Sequence, residues 1–225
     1  LRNLEPVVEA GVNQLPLSLP TADGSKPGTA ATVRLLRLTQ DEDILDWLRR
    51  ANQSRGYDDR RVSLLKDQPT VRSALLPKPH GPKPMEVVGI PLGEPGQYVV
   101  EAESKLLGEH LLDPPAPMFV RTLALNTNLA VHFKKGDENS LVWVTALDTG
   151  KPVGQARVSL RTCDGKQVAF GTTGADGTLA IRRRLPAQPS GCKDFWSYFV
   201  SARTHIDGVE DIGFATLGDA DVGTQ

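Results

Sequence analysis

The stretch from Asn128 to Ile181, NLAVHFKKGDENSLVWVTALDTGKPVGQARVSLRTCDGKQVAFGTTGADGTLAI, constrains the fold more than any other part of the chain. Apolar and polar residues alternate through three runs in it. Val131 and Phe133 alternate with His132 and Lys134. Leu141, Trp143 and Thr145 alternate with Val142, Val144 and Ala146. Val158 and Leu160 alternate with Arg157, Ser159 and Arg161. Turn signals separate the runs: Lys135-Gly136-Asp137, Asp148-Thr149-Gly150, Asp164-Gly165 and Ala175-Asp176-Gly177. A period of two sends successive side chains to opposite faces of a sheet, and no helical period competes with it here. The regular spacing of strand and turn predicts a β-sandwich module.

Composition excludes several functions. The 26 basic residues nearly balance the 27 acidic ones, which leaves no field to gather nucleic acid or a membrane surface. Aromatics make up 5%, lean for a sugar-stacking or base-stacking surface. The 21 glycines and 17 prolines suit many turns rather than long helices. No apolar run reaches transmembrane length. The chain has no initiator Met and opens on LRNLEPVVEAG, so it reads as a fragment of a longer protein whose targeting signals lie outside it.

Taken in order, residues 1–20 hold one or two short strands broken by Pro6, Gly11, Pro16 and Pro20, and 20–28 is a loop. Residues 30–38 are a better strand. In TQDEDILDWLRRANQSRG, Thr39 or Asp41 can cap, acids crowd the first turn, and Ile44, Trp47 and Leu48 fall on one face. This predicts a short amphipathic helix near 41–52, ended by Gly56 and covering an open end of a sandwich. Arg60 to Lys66 is a further strand candidate, and Pro77 to Pro84 an extended proline-rich loop. Strands follow at 85–90, 97–103 and 118–127, with a turn around 106–117. The next strand begins almost at once, so the joint falls at 126–128 and the modules pack end to end. Within the 128–181 stretch and just past it, 165–170 and 178–182 read as a hairpin around GTTGADG. FWSYFVSA, 195–202, is apolar on both faces and reads as a central strand; 211–217 is the last. The fold expected is all-β: tandem seven-stranded antiparallel β-sandwiches over 1–127 and 128–225, the first with a short helical insertion.

The two cysteines are Cys163 and Cys192, each beside a glycine turn. A disulfide between them is the preferred reading, and it implies an oxidising compartment. Two free thiols are the alternative. Cys163 ends one strand pattern and Cys192 precedes another, so the pair meets if those strands come together at one end of the sandwich. No CxxC exists and only four histidines are scattered along the chain, which argues against zinc.

No catalytic, cofactor-binding or metal site is expected. Ser63, Ser140 and Ser197 lack a glycine elbow and a sequence-near His-Asp pair. His80 sits in the proline loop, His110 beside Glu109, and His132 and His205 read as wet-face strand residues. Asp137 with Glu138, or Asp164 with Asp176, lack the alternating acids of a calcium loop, so turn chemistry accounts for them. A carbohydrate-binding or adhesin sandwich would need an exposed aromatic platform, for which Tyr57 and one face of the 195–199 strand are the candidates.

Two segments resemble the bacterial alpha-2-macroglobulin family: VVGIPLGEPGQYVVEAESKLLG, 87–108, and NLAVHFKKGDENSLVWVTALDTGKPVGQARVSL, 128–160, followed by the CDGK at 163–166 and the TGADG at 173–177. ILDWLRR, 44–50, matches a helical insertion associated with the first such domain. The resemblance implies fibronectin-III-like, macroglobulin-like domains that form the wall of a cage. It implies a broad-spectrum inhibitor that traps endopeptidases, with a cleaved bait segment and a strained thioester. The thioester requires a Cys-x-Glu-Gln motif, but Cys163 precedes Asp-Gly-Lys and Cys192 precedes Lys-Asp-Phe. The chain thus carries no warhead, and no evident bait either, although Arg72, Lys78 and Lys83 lie in or near the proline loop. The implied partners are neighbouring macroglobulin-like domains and the proteases trapped by the parent, with no nucleic acid and no membrane contact. The implied location is the periplasm, the parent being held at the inner membrane by an N-terminal lipid. An adhesin, or a carbohydrate- or protein-binding module of the cell envelope, is the alternative.

Overall fold

The computed structural model describes residues 7–9, 14–20, 31–53, 58–76, 85–187, 189, 192, 197–206 and 208–217. The proline loop with Lys78, His80 and Lys83, the residues Tyr57, Phe195 and Trp196, and the carboxy-terminal tail lie outside the described residues.

The described strands form two sheet pairs. The first pair uses β1 (Val7–Glu9), β2 (Gln14–Pro20), β3 (Thr32–Leu38), β4 (Arg72–Leu75), β5 (Met85–Pro91), β6 (Gly96–Ser104) and β7 (Met118–Thr127). A five-stranded sheet has the order β1-β7-β6-β3-β4, and β2 pairs with β5 in a separate two-stranded sheet. The expected antiparallel order has one exception, since β1 runs parallel to β7 with Val7 opposite Leu125.

The five-stranded sheet is apolar on both faces because β3 and β6 are apolar at both parities. Val33 and Leu35 join Tyr98, Val100 and Ala124 in a core with Ile90 and Leu92. Leu36 and Leu38 join Val99 and Leu123 on the opposite face. That second face needs its own cover.

Helix α1 (Asp41–Gln53) supplies part of it. Asp41, Glu42 and Asp43 in its first turn and Arg50 in its last complement the helix dipole. Ile44, Leu45, Trp47 and Leu48 are buried. The helix does not close an open end of a sandwich. It lies between the five-stranded sheet and the second sheet pair, and its apolar side chains share one core with both.

Two further differences from the sequence reading have local causes. Arg60 to Lys66 makes no strand: a 3-10 turn occupies Asp58–Arg61, and side chains then pin the segment. Ser63 Oγ donates to Glu101 Oε1 at 2.5 Å and the Leu64 amide to Glu101 Oε2 at 2.7 Å. The expected turn after β6 contains a helix, α2 (Lys105–Leu111), started by Ser104, whose side chain accepts from the Leu107 amide. Gly108 lets α2 lie directly on the following backbone, since a Cβ there would sit 1.8 Å from the Ala116 carbonyl oxygen.

The second pair uses β8 (Leu129–Lys135), β9 (Ser140–Ala146), β10 (Arg157–Thr162), β11 (Gln167–Thr172), β12 (Thr178–Ile181), β13 (Tyr198–Ile206) and β14 (Val209–Leu217). The sheets have the orders β12-β9-β8 and β11-β10-β13-β14. Val142 and Val144 from one meet Val158, Leu160, Tyr198, Val200 and Ala202 from the other. β11 and β12 are not a hairpin. The Thr173–Gly177 turn carries the chain from one sheet to the other, and β12 pairs with β9, Thr178 opposite Trp143. Strand β13 lies between β10 and β14 and is buried on both faces, as its two apolar parities predict.

Candidate functional site

The outward face of β10, β13 and β14 meets α1, and this seam holds a buried polar constellation. Phe199 and Ile212, fully buried, and Phe214 pack into the core shared with Leu36, Leu38, Ile44 and Leu45. The rings of Phe199 and Phe214 lie 5.1 Å apart.

Asp41, at the start of α1, is 3% exposed and reaches across the seam. Its Oδ1 accepts from Arg203 Nη2 at 2.6 Å, and its Oδ2 from Ser201 Oγ at 2.9 Å and Arg161 Nε at 3.2 Å. Each arginine is committed further. Arg161 Nη2 pairs with Glu42 at 2.8 Å and Nη1 donates to the Gly165 carbonyl at 2.9 Å. Arg203 Nη1 donates to the Thr39 carbonyl at 2.5 Å and faces Glu210, which also pairs with Arg157. A buried charge is tolerable only when paired and hydrogen-bonded, and here both signs meet that condition.

Two further links cross the seam. Asp211, almost fully buried, accepts from Thr127 Oγ1 at 2.7 Å and from the Asn128 amide at 2.8 Å, fixing the residues between β7 and β8. Arg49 of α1 donates to the Cys163 carbonyl. Cys163 and Cys192 are joined as a disulfide with their Cα atoms 5.7 Å apart, inside the usual range. The bond ties the β10–β11 turn, on which Arg49 and Leu45 rest, to the loop before β13.

The other residues singled out from the sequence serve local structure. Ser63 bonds Glu101, and Ser197 Oγ donates to the Leu217 carbonyl at 3.0 Å. Ser140 is buried on β9. His110 lies on α2, His205 near the end of β13 opposite Glu210, and His132 against Trp143. None of His110, His132 and His205 is bonded to any of the three serines, so no nucleophile–base pair is assembled among the described residues. Asp164 and Asp176 use their carboxylates within their own turns. The Thr162 hydroxyl holds the Asp164 carboxyl below its ordinary value, and the Thr178 amide and hydroxyl do the same for Asp176. Asp137 and Glu138 occupy the β8–β9 turn. No group of three potential metal ligands occurs among the described residues.

Sequence reasoning missed Asp41 as a seam residue, together with Arg161, Arg203, Ser201 and Asp211. The available signal was parity: Arg161 shares a face with Arg157 and Ser159, and Arg203 with Phe199 and Ser201. A sheet face that mixes arginines with a buried Phe needs a charged cover.

Residues 126–224 match the family described as the bacterial alpha-2-macroglobulin MG3 domain. The match begins at Asn126, beside the Thr127–Asp211 link. That part of the chain, a little under half of it, is similar to this family. Two solved structures share the fold of this chain. One is native alpha-2-macroglobulin from Escherichia coli spanning domains MG0-NIE-MG1, at 16% identity and TM-score 0.53, covering 94% of this chain and 64% of that one. The other is the same protein spanning domains NIE-MG1, at 14% identity and TM-score 0.53, covering 95% of this chain and 98% of that one. No curated protein matches the chain. The sequence match names an MG3 domain whereas the fold likeness falls on NIE-MG1. Sequence discriminates between numbered domains; a shared sandwich at such identities does not.

Proposed function

We propose that residues 1–127 and 128–225 are two adjoining seven-stranded macroglobulin-like sandwiches. They act as wall modules of a periplasmic bacterial alpha-2-macroglobulin-like inhibitor that traps endopeptidases. The observation that carries this reading is the seam. A core built from both sheet pairs, crossed by α1 and by the Asp41 and Asp211 links, makes the two modules one stiff segment. A cage wall needs stiffness, whereas beads on a string would sag. The match over 126–224 and the fold likeness to a two-domain segment support the family part of the reading. The disulfide supports an oxidising compartment. The trapped proteases, a lipid anchor at the inner membrane, and a bait and thioester elsewhere in the parent belong to this proposal as well.

Deletion of both modules from the parent tests it. Trapping of trypsin-like and subtilisin-like proteases should be abolished, while the isolated chain should leave those proteases fully active. A parent that still traps proteases without 1–225 overturns the wall role.

A further inference from the structure

Strand β12 ends at Ile181, opposite Ser140, and Arg182, Arg183 and Arg184 follow it directly. All three arginines are exposed and belong to no helix or strand. Among the described residues their amides and carbonyls enter no backbone–backbone hydrogen bond. Their side chains make two contacts there: Arg183 Nη2 donates to the Val168 carbonyl, and Arg184 Nε to that of Asp137 at 3.4 Å. An exposed guanidinium can leave such a contact for water without stranding its charge. Firm anchors stand on both sides of the run. Ile181 and Leu185 are buried in the core of the second sheet pair, and the Pro186 carbonyl accepts from Tyr198 Oη at 2.6 Å. The run also lies inside the loop that the Cys163–Cys192 bond closes, so a chain broken there stays one covalent molecule.

We infer that this run is a cleavage site for a protease that binds arginine in a carboxylate-bearing primary pocket, and that the disulfide lets the module survive the cut. The two bonds flanking Arg183 are the sites, since they lie farthest from the buried Ile181 and Leu185. Nicking falls where the backbone is exposed and free of main-chain hydrogen bonds, because the segment must be drawn out into the protease cleft. The guanidinium, with its charge and planar fork of donors, supplies the recognition. One water adds across the peptide bond. The carbonyl carbon gains the hydroxyl and the nitrogen the hydrogen, and the resulting carboxyl and amine ionise by transfer of one proton. Other basic residues fit less well. Lys26, Lys78, Lys83 and Lys151 each precede a proline, whose ring blocks such cleavage. Lys66 and Lys166 are held in their turns: the Lys66 amide donates to Ser63 Oγ at 3.0 Å, and the Lys166 carbonyl accepts from the Thr162 amide at 3.0 Å. This site is independent of the wall reading.

The test is limited proteolysis of the whole chain with trypsin. Without reductant the pieces on either side of the run should migrate together in a denaturing gel. With reductant they should separate, and mass spectrometry should place the new amino terminus at Arg183 or Arg184. The joint replacement Arg182→Gln, Arg183→Gln and Arg184→Gln should slow this cut at least tenfold. These residues are exposed, so the unfolding midpoint of that variant should stay near that of the parent chain. The nicked chain should keep its fold, its midpoint falling by no more than about 4 °C while the disulfide is intact. Reductant should then lower the midpoint further in the nicked chain than in the uncut one, because the piece bearing β13 and β14 becomes free to leave. A run left intact while the chain is cut elsewhere, a cut that the triple replacement does not slow, unfolding on nicking, or an equal effect of reductant on cut and uncut chains would each overturn the proposal.

Discussion

Arg203 Nη2 lies 2.6 Å from Asp41 Oδ1, although the two residues are 162 positions apart in the chain. One opens a helix of the first sheet pair and the other sits on a strand of the second. Their contact is internal to the fold and charged, so its loss should be costly in a specific way. Removing one partner of a buried pair leaves the other charge desolvated and alone, typically at about 3–5 kcal/mol, whereas removing both is often close to neutral. Asp41→Ala should therefore destabilise the chain by about that amount in urea unfolding. Arg161→Leu and Arg203→Leu added to Asp41→Ala should recover part of the loss. A cost below about 1 kcal/mol for Asp41→Ala would show that the clasp is incidental.

Phe199 contributes to a core that belongs to neither sheet pair alone. Its truncation to Ala should cost about 3–5 kcal/mol. The two halves of the parent chain should unfold in one transition and tumble with one correlation time. In the Phe199→Ala variant the transitions should separate. Independent tumbling in the unmodified chain would contradict a stiff seam.

The Cys163–Cys192 bond spans 29 residues of sequence. Chain entropy assigns such a loop about 3–4 kcal/mol. Mass spectrometry of the non-reduced chain should show the two-proton deficit and no alkylatable thiol. Cys163→Ala with Cys192→Ala should lower stability by about 2–4 kcal/mol. Because Arg49 donates to the Cys163 carbonyl, this loss should be accompanied by faster amide exchange in α1. Two alkylatable thiols in the unmodified chain would refute the bond.

Stability should fall at both ends of the pH scale for identifiable reasons. Asp164 and Asp176 have folded-state values below the ordinary aspartate value of 3.8, so their contribution is present above that value and is lost as pH falls through the folded values. Asp164→Asn should flatten the acid limb. Burial raises Tyr98 above 10.0, and its hydroxyl donates to the Glu94 carbonyl at 2.7 Å. Its contribution is therefore full below pH 10 and is lost as pH rises through the higher folded value. Tyr98→Phe should flatten the alkaline limb. Unfolding measured across pH checks both, and an unchanged limb in either variant would count against the assignment.

Alternation alone located most of the strands: β3, β5 to β10, β13 and β14 fall where period-two runs stand between turn signals. It also located α1, because Ile44, Trp47 and Leu48 recur at helical spacing behind an acidic first turn. These features are local, since a strand or helix must match its own side-chain period to the face it buries. β13 was legible as central because it is apolar at both parities. The short α2 was not, because a seven-residue helix carries too few turns to show a period.

Partnership lay beyond the sequence. The Ala175-Asp176-Gly177 turn looks the same whether the chain folds back on itself or crosses to another sheet. The pairing of Thr178 with Trp143 rather than with a neighbour of β11 depends on residues 35 positions away. The acids of α1 read as dipole complements, and that role is real. That Asp41 also anchors the second sheet pair required Arg161 and Arg203 to arrive, from 120 and 162 positions on, at one buried point. The sequence by itself determined which segments are strands, which are turns and where the helix begins, because each follows from local sterics and periodicity. Only the tertiary structure decided which sheets those strands join, that the second face of the five-stranded sheet is covered by α1 and the second sheet pair, and which charges are buried there. Those outcomes depend on long-range packing and desolvation, which no local pattern encodes.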